Sequence, residues 1–524
     1  MLDLIIKKAV IIDGSGRPAI EGDIGVKKGK IDRIGRNLGE RAMNVINAEG
    51  LVASPGFIDV HNNSDLYWTI FEDPRLPSAT HQGITTIIGG NDGSSLAPLV
   101  SSRDITSLQK WADINDVQVN WLRMSELLDY FDEKGLGVNF GTLVGHSTIR
   151  RGIVGDENRA IKPDEEQMIL RAVEDALQEG ALGVSTGLKY SHELGVTTDE
   201  LINLAKVVAA NGGVYASHMR NEGSQLIESI QEMLTIAMAT GVSLQISHLK
   251  AKGQEYWNKL DEALAMINEA VNLGAKVHFD FYPYRKTFSV LYAYLPKWAT
   301  QNGRKAFLTL IQDEDKRRRL IDDMQSDKHD YGSLTIAINE SQPSLVGKTL
   351  VDIAAVAEAP KLSVEEIIID TLEASWNTII FDETIDPDSF EKLLLHPQSM
   401  VATDAPSTSI PADIVQLYHP RSFGTFPKIL QQFARDEKII SFEETIMKMT
   451  SIPARKFGLA DRGYLAPGYA ADMVLWHPAL IADNATYINP YRYPSGIEHV
   501  FINGHAAVGV YADESKLPGQ VIRH

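Results

Sequence analysis

Eight short apolar runs alternate with amphipathic stretches through the middle of the chain. The runs are GFIDVH (56–61), TTIIGG (85–90), VNFGTLVGH (138–146), ALGVSTG (181–187), GVYASH (213–218), VSLQISH (242–248), KVHFDFY (276–282) and SMVATD (399–404). Runs of this length are typical of buried β-strands, and the stretches between them have helical periodicity. In 162–180, for example, Pro163 and Asp164 open an amphipathic helix that Gly180 closes. Eight alternating units predict an α/β fold with a closed (β/α)8 barrel of the triosephosphate isomerase (TIM) type.

The two ends of the chain have a different texture. Residues 1–54 and 456–524 alternate short apolar runs with Gly, Asp and Lys, which is typical of hairpins. Neither end has enough strands to form a β-sandwich alone. We therefore predict that both ends together form one small β-sandwich domain and that residues 55–455 form the barrel. We predict that residues 287–345 form an inserted subdomain over one face of the barrel. Four of its apolar side chains either line a substrate pocket or form the insert's own core: Phe288, Leu291, Leu295 and Trp298.

Composition excludes several classes of protein. A net charge of −19 disfavours nucleic acid and anionic membranes as partners. The absence of cysteine excludes disulfides, thiolate nucleophiles and thiolate metal ligands. No stretch resembles a signal peptide or a membrane span. These features predict a cytoplasmic protein that acts on a small molecule, with a homo-oligomer left open.

Polar residues follow the apolar runs at their carboxyl ends. They are His61 with Asn63, Asn91 with Asp92, His146, His218, His248 and Asp404. In a parallel barrel all carboxyl ends lie on one face, so these side chains are expected to converge. Imidazoles and carboxylates without thiols suit zinc or a similar divalent ion, with an open position for an activated water. We predict His218, His248 and Asp92 as metal ligands. Asp404 is predicted as the general base, with a second metal ligand or a helix N-cap as its other roles.

These landmarks belong to longer segments that together carry a family resemblance. The segments include SPGFIDVH, GITTIIGGNDGSSLAPL, GHSTIR, GALGVSTGLKY, YASHMRNEG, LQISHLKAKG, FDFYPY, MVATDAP and HPRSFGTFPKIL. In this order they resemble the amidohydrolase superfamily, and within it the N-acyl-D-amino-acid deacylase (D-aminoacylase) family, over nearly the whole chain. The resemblance implies a metal-bearing barrel with a β-sandwich, and hydrolysis of a carbon–nitrogen bond.

The resemblance also implies roles for individual positions. The tightly bound zinc of the family would be held at Asp92, His218 and His248, and the weaker second metal at His61, Asn63 and Asp404. The carboxylate of the substrate would be bound by Lys250 and Arg421, with Tyr282 nearby. We also predict Tyr190 and His146 as substrate contacts, His146 alternatively as a support for a metal ligand.

Two positions depart from the family. Asn63 replaces a histidine, and an amide oxygen is a poor zinc ligand, so the second site is expected to be weakened or absent. Asp92 replaces a cysteine, which keeps the ligand charge but lowers the preference for soft metals. We therefore expect one divalent metal, zinc first, with other divalent ions possible. The departures leave open a changed reaction (a cyclic amide, carbamate or ester hydrolase, or a metal-assisted lyase) or a metal-free, non-catalytic relative.

Overall fold

The computed structural model describes residues 1–524 apart from 40, 102–104, 106–118, 156, 158, 328 and 357–361. Its strands are β1 (Leu2–Ile11), β2 (Ile20–Lys27), β3 (Lys30–Gly35), β4 (Ala42–Asn47), β5 (Val52–Pro55), β6 (Phe57–Asp59), β7 (Ile84–Gly89), β8 (Asn139–Thr142), β9 (Val144–Gly145), β10 (Gly183–Gly187), β11 (Val214–His218), β12 (Ser243–Ile246), β13 (Val277–Phe281), β14 (Lys286–Val290), β15 (Thr335–Ile338), β16 (Ile379–Glu383), β17 (Ser399–Val401), β18 (Met473–Trp476), β19 (Ile497–Ile502) and β20 (His505–Val508).

The helices lie mainly between the barrel strands. They are α1 (Thr69–Glu72), α2 (Pro77–Thr80), α3 (Met124–Lys134), α4 (His146–Val154), α5 (Pro163–Gln178), α6 (Thr198–Ala210), α7 (Leu226–Thr240), α8 (Lys259–Asn272), α9 (Lys297–Thr300), α10 (Gly303–Ile311), α11 (Glu314–Ser326), α12 (Leu350–Val356), α13 (Val364–Ala374), α14 (Ser389–Leu395), α15 (Arg421–Lys428), α16 (Phe442–Met449) and α17 (Ser451–Lys456). The chain continues α15 through Ile429–Asp436 as a π-helix. Within the described residues, no helix combines the length and the apolarity needed to cross a bilayer.

The central strands form a parallel barrel. One sheet has the order β6-β7-β8, and a second has the order β17-β13-β12-β11-β10-β9. Leu143 alone separates β8 from β9, so these two form one barrel position. A bridge between Asn62 and Ala405, and a 2.8 Å hydrogen bond from Asp404 N to His61 O, connect the first and last positions. The predicted (β/α)8 fold is therefore confirmed.

Burial explains why these segments are strands rather than surface hairpins. Every residue of β6, β7, β10 and β11 is buried, as expected for parallel strands covered on both faces. Alternate residues of the strands share one apolar cluster, which includes Ile58, Val60, Ile88, Leu182, Val214, Ala216, Met400 and Ala402. Outside, α5 begins at Pro163, where Glu165 accepts a hydrogen bond from Lys162 N. It ends before Gly180, whose φ of +114° favours glycine.

A second sheet joins the two ends of the chain. Its strand order is β20-β19-β18-β5-β1-β2-β3, with β4 paired to β1. An apolar core of its own includes Leu4, Ile6, Ile24, Ala53, Met473, Leu475 and Phe501. This is the β-sandwich of the predicted fold. The domain boundaries at 54/55 and 455/456 stay predictions.

The long segment between β13 and β17 covers one end of the barrel. Its three strands form an antiparallel sheet in the order β14-β16-β15, flanked by helices α9–α13. The predicted insert, 287–345, lies within this segment, and its bounds stay a prediction. Phe288 lines the cavity at the barrel end, and Leu295 lines an outer cavity. Leu291 is buried and Trp298 donates to Asp323, so these two support the insert instead.

Asp472 connects the end sheet to the barrel. It is buried just before β18, where Oδ1 accepts from Asn503 N at 2.6 Å and Oδ2 accepts from Asn139 Nδ2 at 2.9 Å. Asn139 begins β8, a barrel strand. The guanidinium of Arg462 is ion-paired with the same carboxylate. Asp472 therefore neutralises the charge of the buried Arg462 and joins the end sheet to the barrel.

We expect Asp472→Ala to lower the free energy of unfolding by about 3–5 kcal/mol, because it leaves Arg462 buried without its partner. Urea denaturation followed by circular dichroism measures this. Asp461→Ala is the matched control, since Asp461 approaches the same arginine only at 3.9 Å and is half exposed. Its effect should stay below about 1 kcal/mol. Equal losses in both variants would contradict the role of Asp472.

Candidate active site

A polar cavity lies at the carboxyl ends of the barrel strands. Its lining comprises Asn63, Tyr67, Asp92, Lys189, Tyr190, His218, Glu222, His248, Lys250, Lys252, Tyr282, Thr287, Phe288, Ser289, Asp404 and Arg421. Strand-end residues from distant parts of the chain meet here because every barrel strand points the same way. The cavity itself is small, about 40 Å³.

Three donor atoms face one another at the centre of this cavity. Asp92 Oδ1 lies 3.2 Å from His218 Nδ1 and 3.6 Å from His248 Nε2, and the two nitrogens are 2.9 Å apart. A tetrahedral zinc with ligand bonds of about 2.0–2.1 Å requires donor separations of about 3.3–3.4 Å. The observed triangle has nearly that size. The residues therefore fit a divalent cation, with His218 Nε2 left without a hydrogen-bond partner among the described residues.

A second group of polar atoms adjoins the first through Asp92. His61 Nε2 lies 3.4 Å from Asp92 Oδ2 and 3.4 Å from Asp404 Oδ1. Asn63 Nδ2 donates to Asp404 Oδ1 at 3.2 Å. The Asn63 oxygen has no hydrogen-bond partner among the described residues. This group offers one imidazole and two carboxylate oxygens, and its fourth member, the amide of Asn63, is a poor zinc ligand.

Three of these residues have a left-handed backbone conformation. The φ angles of Asp92, His248 and Asp404 are +55°, +37° and +48°. Such angles cost about 1–3 kcal/mol each in residues other than glycine, and they persist where the surroundings enforce them. Here His248 N donates to Asp280 Oδ1 at 2.8 Å, and Asp404 N donates to His61 O. The strain aims the donor atoms into the cavity.

Further carboxylates contact the outer nitrogens of the histidines. His248 Nδ1 lies 2.9 Å from Glu222 Oε1, and His61 Nδ1 lies 3.5 Å from Asp280 Oδ1. Such partners set which ring nitrogen carries the proton and leave the other to bind a metal. Glu222 also accepts from Lys250 Nζ at 2.5 Å. Among the described residues, two further groups bring their donor atoms within 4.8 Å of one another: His61 with Asp92 and His248, and His218 with Glu222 and His248.

Charge in the cavity follows from burial and from these pairs. Burial, together with neighbouring His248, lowers the pKa of His218 to about 4, so its imidazole is neutral and ready to bind a cation. Burial lowers the pKa of His61 too, but Asp92, Asp404 and Asp280 outweigh burial and leave that pKa well above its usual value. Conversely, His61 and the hydrogen bonds to Asp92 outweigh burial and hold the pKa of Asp92 well below its usual range.

Two cationic side chains line the same cavity as Asp92, His218 and His248. Arg421 stacks over Tyr282 at 4.3 Å from the ring centre, and Lys250 approaches the same ring at 5.8 Å. Arg421 Nη1 lies 2.9 Å from Asp404 Oδ2. Yet neither Nη1 nor Nε makes an aligned hydrogen bond to any described residue. Buried donors without acceptors are costly, so this guanidinium suits an anionic ligand.

The comparisons with known proteins agree with this geometry. The amidohydrolase family matches residues 44–508. A D-aminoacylase of Alcaligenes xylosoxydans xylosoxydans is 32% identical over 502 residues, covering 96% of this chain and 93% of the relative. The chain belongs to the amidohydrolase family.

Two solved relatives of this amidohydrolase contain metal. N-acyl-D-glutamate deacylase from Bordetella bronchiseptica, complexed with zinc and a phosphonate that mimics the tetrahedral intermediate, has 29% identity and a TM-score of 0.84. A D-aminoacylase with a binuclear metal centre has 30% identity and a TM-score of 0.83. Each alignment covers 100% of both chains.

Most predicted site residues of the amidohydrolase line this cavity, but His61 and His146 do not; His61 is fully buried beside Asp92. Tyr190 lines the cavity, with its ring 5.0 Å from that of His218. His146 is instead the first residue of α4 and is fully buried, with Nδ1 2.5 Å from Glu193 Oε1. The start of α4 turns the ring behind the cavity, which favours the predicted supporting role of His146 over a contact with substrate. Glu193 accepts from Gly187 N, so the pair supports the strand end next to Asp92.

Sequence reasoning missed three residues of the amidohydrolase site. No role was assigned to Glu222, Asp280 or Lys189 from the sequence. Asp280 had a signal, since it is a carboxylate inside the buried strand run KVHFDFY. Glu222 follows His218 by four residues, which alone is too common to indicate a contact.

We expect the His146–Glu193 pair to make stability depend on pH. Burial lowers the pKa of His146, but Glu193 and Glu200 outweigh it and raise the pKa to about 9. The unfolded value is about 6.5, so the stabilisation, about 3 kcal/mol, is complete below pH 6.5 and is lost as pH rises through 9. Urea denaturation from about pH 6 to about pH 10 should show a loss in the wild type that is smaller in His146→Gln.

His278→Gln provides the control. Burial and nearby lysines lower the pKa of His278 to about 3, so this residue stays neutral throughout the range. Its replacement should leave the alkaline slope of the unfolding free energy unchanged. If the unfolding free energy of His146→Gln fell with rising pH as steeply as that of the wild type, the role of the His146–Glu193 pair would be contradicted.

Proposed function

We propose that this protein is a metal-dependent amidohydrolase that hydrolyses the amide bond of an N-acyl amino acid or a similar carboxylate-bearing small molecule. The observation that carries the proposal is the triangle of Asp92, His218 and His248 at the mouth of the barrel. The full-length similarity to D-aminoacylase and to N-acyl-D-glutamate deacylase supports the reaction type.

Asp92, His218 and His248 would hold one divalent cation, zinc first. Bound there, the cation supplies Lewis acidity, which polarises the scissile carbonyl and lowers the pKa of a water toward about 7. A second cation would need His61, Asn63 and Asp404. Because Asn63 contributes only an amide oxygen, we propose that the enzyme works with one metal.

Asp404 is proposed as the general base. Its carboxylate borders the metal-binding group, with Oδ1 3.4 Å from His61 Nε2 and Oδ2 2.9 Å from Arg421 Nη1. In this position it can accept the proton of the attacking water and return it to the leaving nitrogen. The 2.8 Å hydrogen bond from Asp404 N to His61 O fixes the backbone of Asp404 at the edge of the cavity that its side chain lines.

Arg421, Lys250 and Tyr282 are proposed to bind the carboxylate of the substrate. Arg421 Nε and Nη1 make no aligned hydrogen bond among the described residues, so the guanidinium has donors to offer a carboxylate. Lys250 is held by Glu222, so its position is set before substrate arrives. Both cations lie near the ring of Tyr282, Arg421 at 4.3 Å and Lys250 at 5.8 Å from its centre. Tyr190 lines the same cavity, next to His218.

We expect Asp404→Asn to lower kcat for N-acetyl-amino acids by about 10²- to 10⁴-fold, because the amide cannot accept the proton of water. Steady-state assays of D- and L-substrates measure this, with circular dichroism to verify folding. The control is Asp413→Asn, an exposed carboxylate on the loop after the same strand. Activity that survives both Asp404→Asn and removal of metal by a chelator would refute the mechanism.

A second prediction concerns the number of metals. We expect about one zinc per chain in the wild type, none in Asp92→Ala and two in Asn63→His, because the added imidazole completes the second site. Plasma mass spectrometry after dialysis against dilute zinc measures the ratio. Gln254→His adds an imidazole at an exposed position and should stay at one. Two zinc ions in the wild type would rule out the one-metal proposal.

A further inference from the structure

Lys189 stands at the border between two cavities. It follows β10 and lines the inner cavity together with Asp404 and Arg421. It also lines an outer cavity of about 960 Å³ under the inserted segment. The side chain is half-buried. Among the residues that the structure describes, no hydrogen bond or ion pair involves its ammonium group.

Among the described residues, no carboxylate forms an ion pair with Lys189. Its neighbours Lys250 and Lys252 have their own partners, because Glu222 accepts from Lys250 at 2.5 Å and Asp382 lies 3.3 Å from Lys252. Glu222 and Asp382, whose charges also act on Lys189, are therefore already paired with other lysines. Burial, with the nearby charge of Lys252, lowers the pKa of Lys189 to about 7. An added carboxylate at this point would stabilise the ammonium form.

The shape of the cavities directs part of a substrate toward this lysine. The inner cavity of about 40 Å³ has room for only a few waters. The outer cavity is more than ten times larger and shares Lys189, Tyr190, Glu222 and Lys252 with it. With the scissile amide at the metal-binding group and one carboxylate at Arg421, the remainder of the substrate has space on the Lys189 side.

We propose that Lys189 binds a second carboxylate of the substrate, so that the preferred substrates are N-acyl amino acids with two carboxylates. This inference rests on the proposed function and adds the charge of the substrate to it. The second carboxylate comes from an acidic side chain or from a dicarboxylic acyl group. The lysine recognises the same chemistry in both.

Matched substrates separate charge from shape. The first pair is N-acetyl-D-glutamate and N-acetyl-D-glutamine; the second is N-succinyl-D-leucine and its succinamoyl analogue. In one pair the wild type should prefer the charged member by about 10- to 100-fold in kcat/KM, the range expected for a hydrogen-bonded charge. Lys189→Met should abolish this preference, mainly through KM, and Lys189→Arg should retain it. Lys297→Met removes an exposed lysine of the outer cavity and should leave the preference for the charged substrate unchanged.

The outcomes distinguish this inference from the proposed function. Hydrolysis with no preference in either pair, or a preference that survives Lys189→Met, overturns the role of Lys189 and leaves the amidohydrolase proposal standing. If the metal-loaded protein hydrolyses none of the four compounds, the proposed function fails. Calorimetric titration of the chelator-treated protein with the same compounds then tests Lys189 alone. Tighter binding of a charged member by the wild type but not by Lys189→Met supports the inference, and equal binding overturns it.

Discussion

The contact of one buried carboxylate with three imidazoles is the interaction on which the rest of the site depends. Asp92 directs Oδ1 to His218 and His248, and Oδ2 to His61. An ionised carboxylate away from water costs several kcal/mol unless its partners are well placed. The closed barrel supplies those partners from strands far apart in the sequence. The same donors also suit a divalent cation. The negative charge of Asp92 and the lone pairs of the imidazoles, which stabilise this cluster, are also what a metal requires.

Around this contact, most buried charges are paired before any ligand arrives. Glu222 holds Lys250 and the outer nitrogen of His248, and Asp404 lies against Arg421. These pairs keep the nitrogens proposed to bind metal and the cations proposed to bind a carboxylate in fixed positions, so little ordering would be left to substrate binding. Lys189 departs from this pattern. In the role proposed for it, its charge at the border of the outer cavity connects the architecture to the choice of substrate.

The sequence predicted the barrel well because its strands are buried on both faces and its helices have one apolar face. Convergence of the strand-end residues then followed from topology. The resemblance to a family was needed for Lys250, Arg421 and Tyr282, since an isolated lysine or arginine after a strand gives no local signal. For His146, the strand position did not reveal the direction of the ring. The chain turns into α4 at that residue, and the imidazole reaches Glu193 instead of the cavity.

Local sequence accounts for the order of strands and helices, the residue types at the barrel mouth and the missing imidazole at Asn63. Apolar periodicity and side-chain chemistry are properties of neighbouring residues, so they can be recognised without a structure. Long-range packing accounts for the left-handed backbone of Asp92 and Asp404, the contacts of Glu222 and the isolation of Lys189. Each of these depends on contacts between segments brought together by barrel closure, and a strained φ angle or an unpaired charge exists only in relation to them.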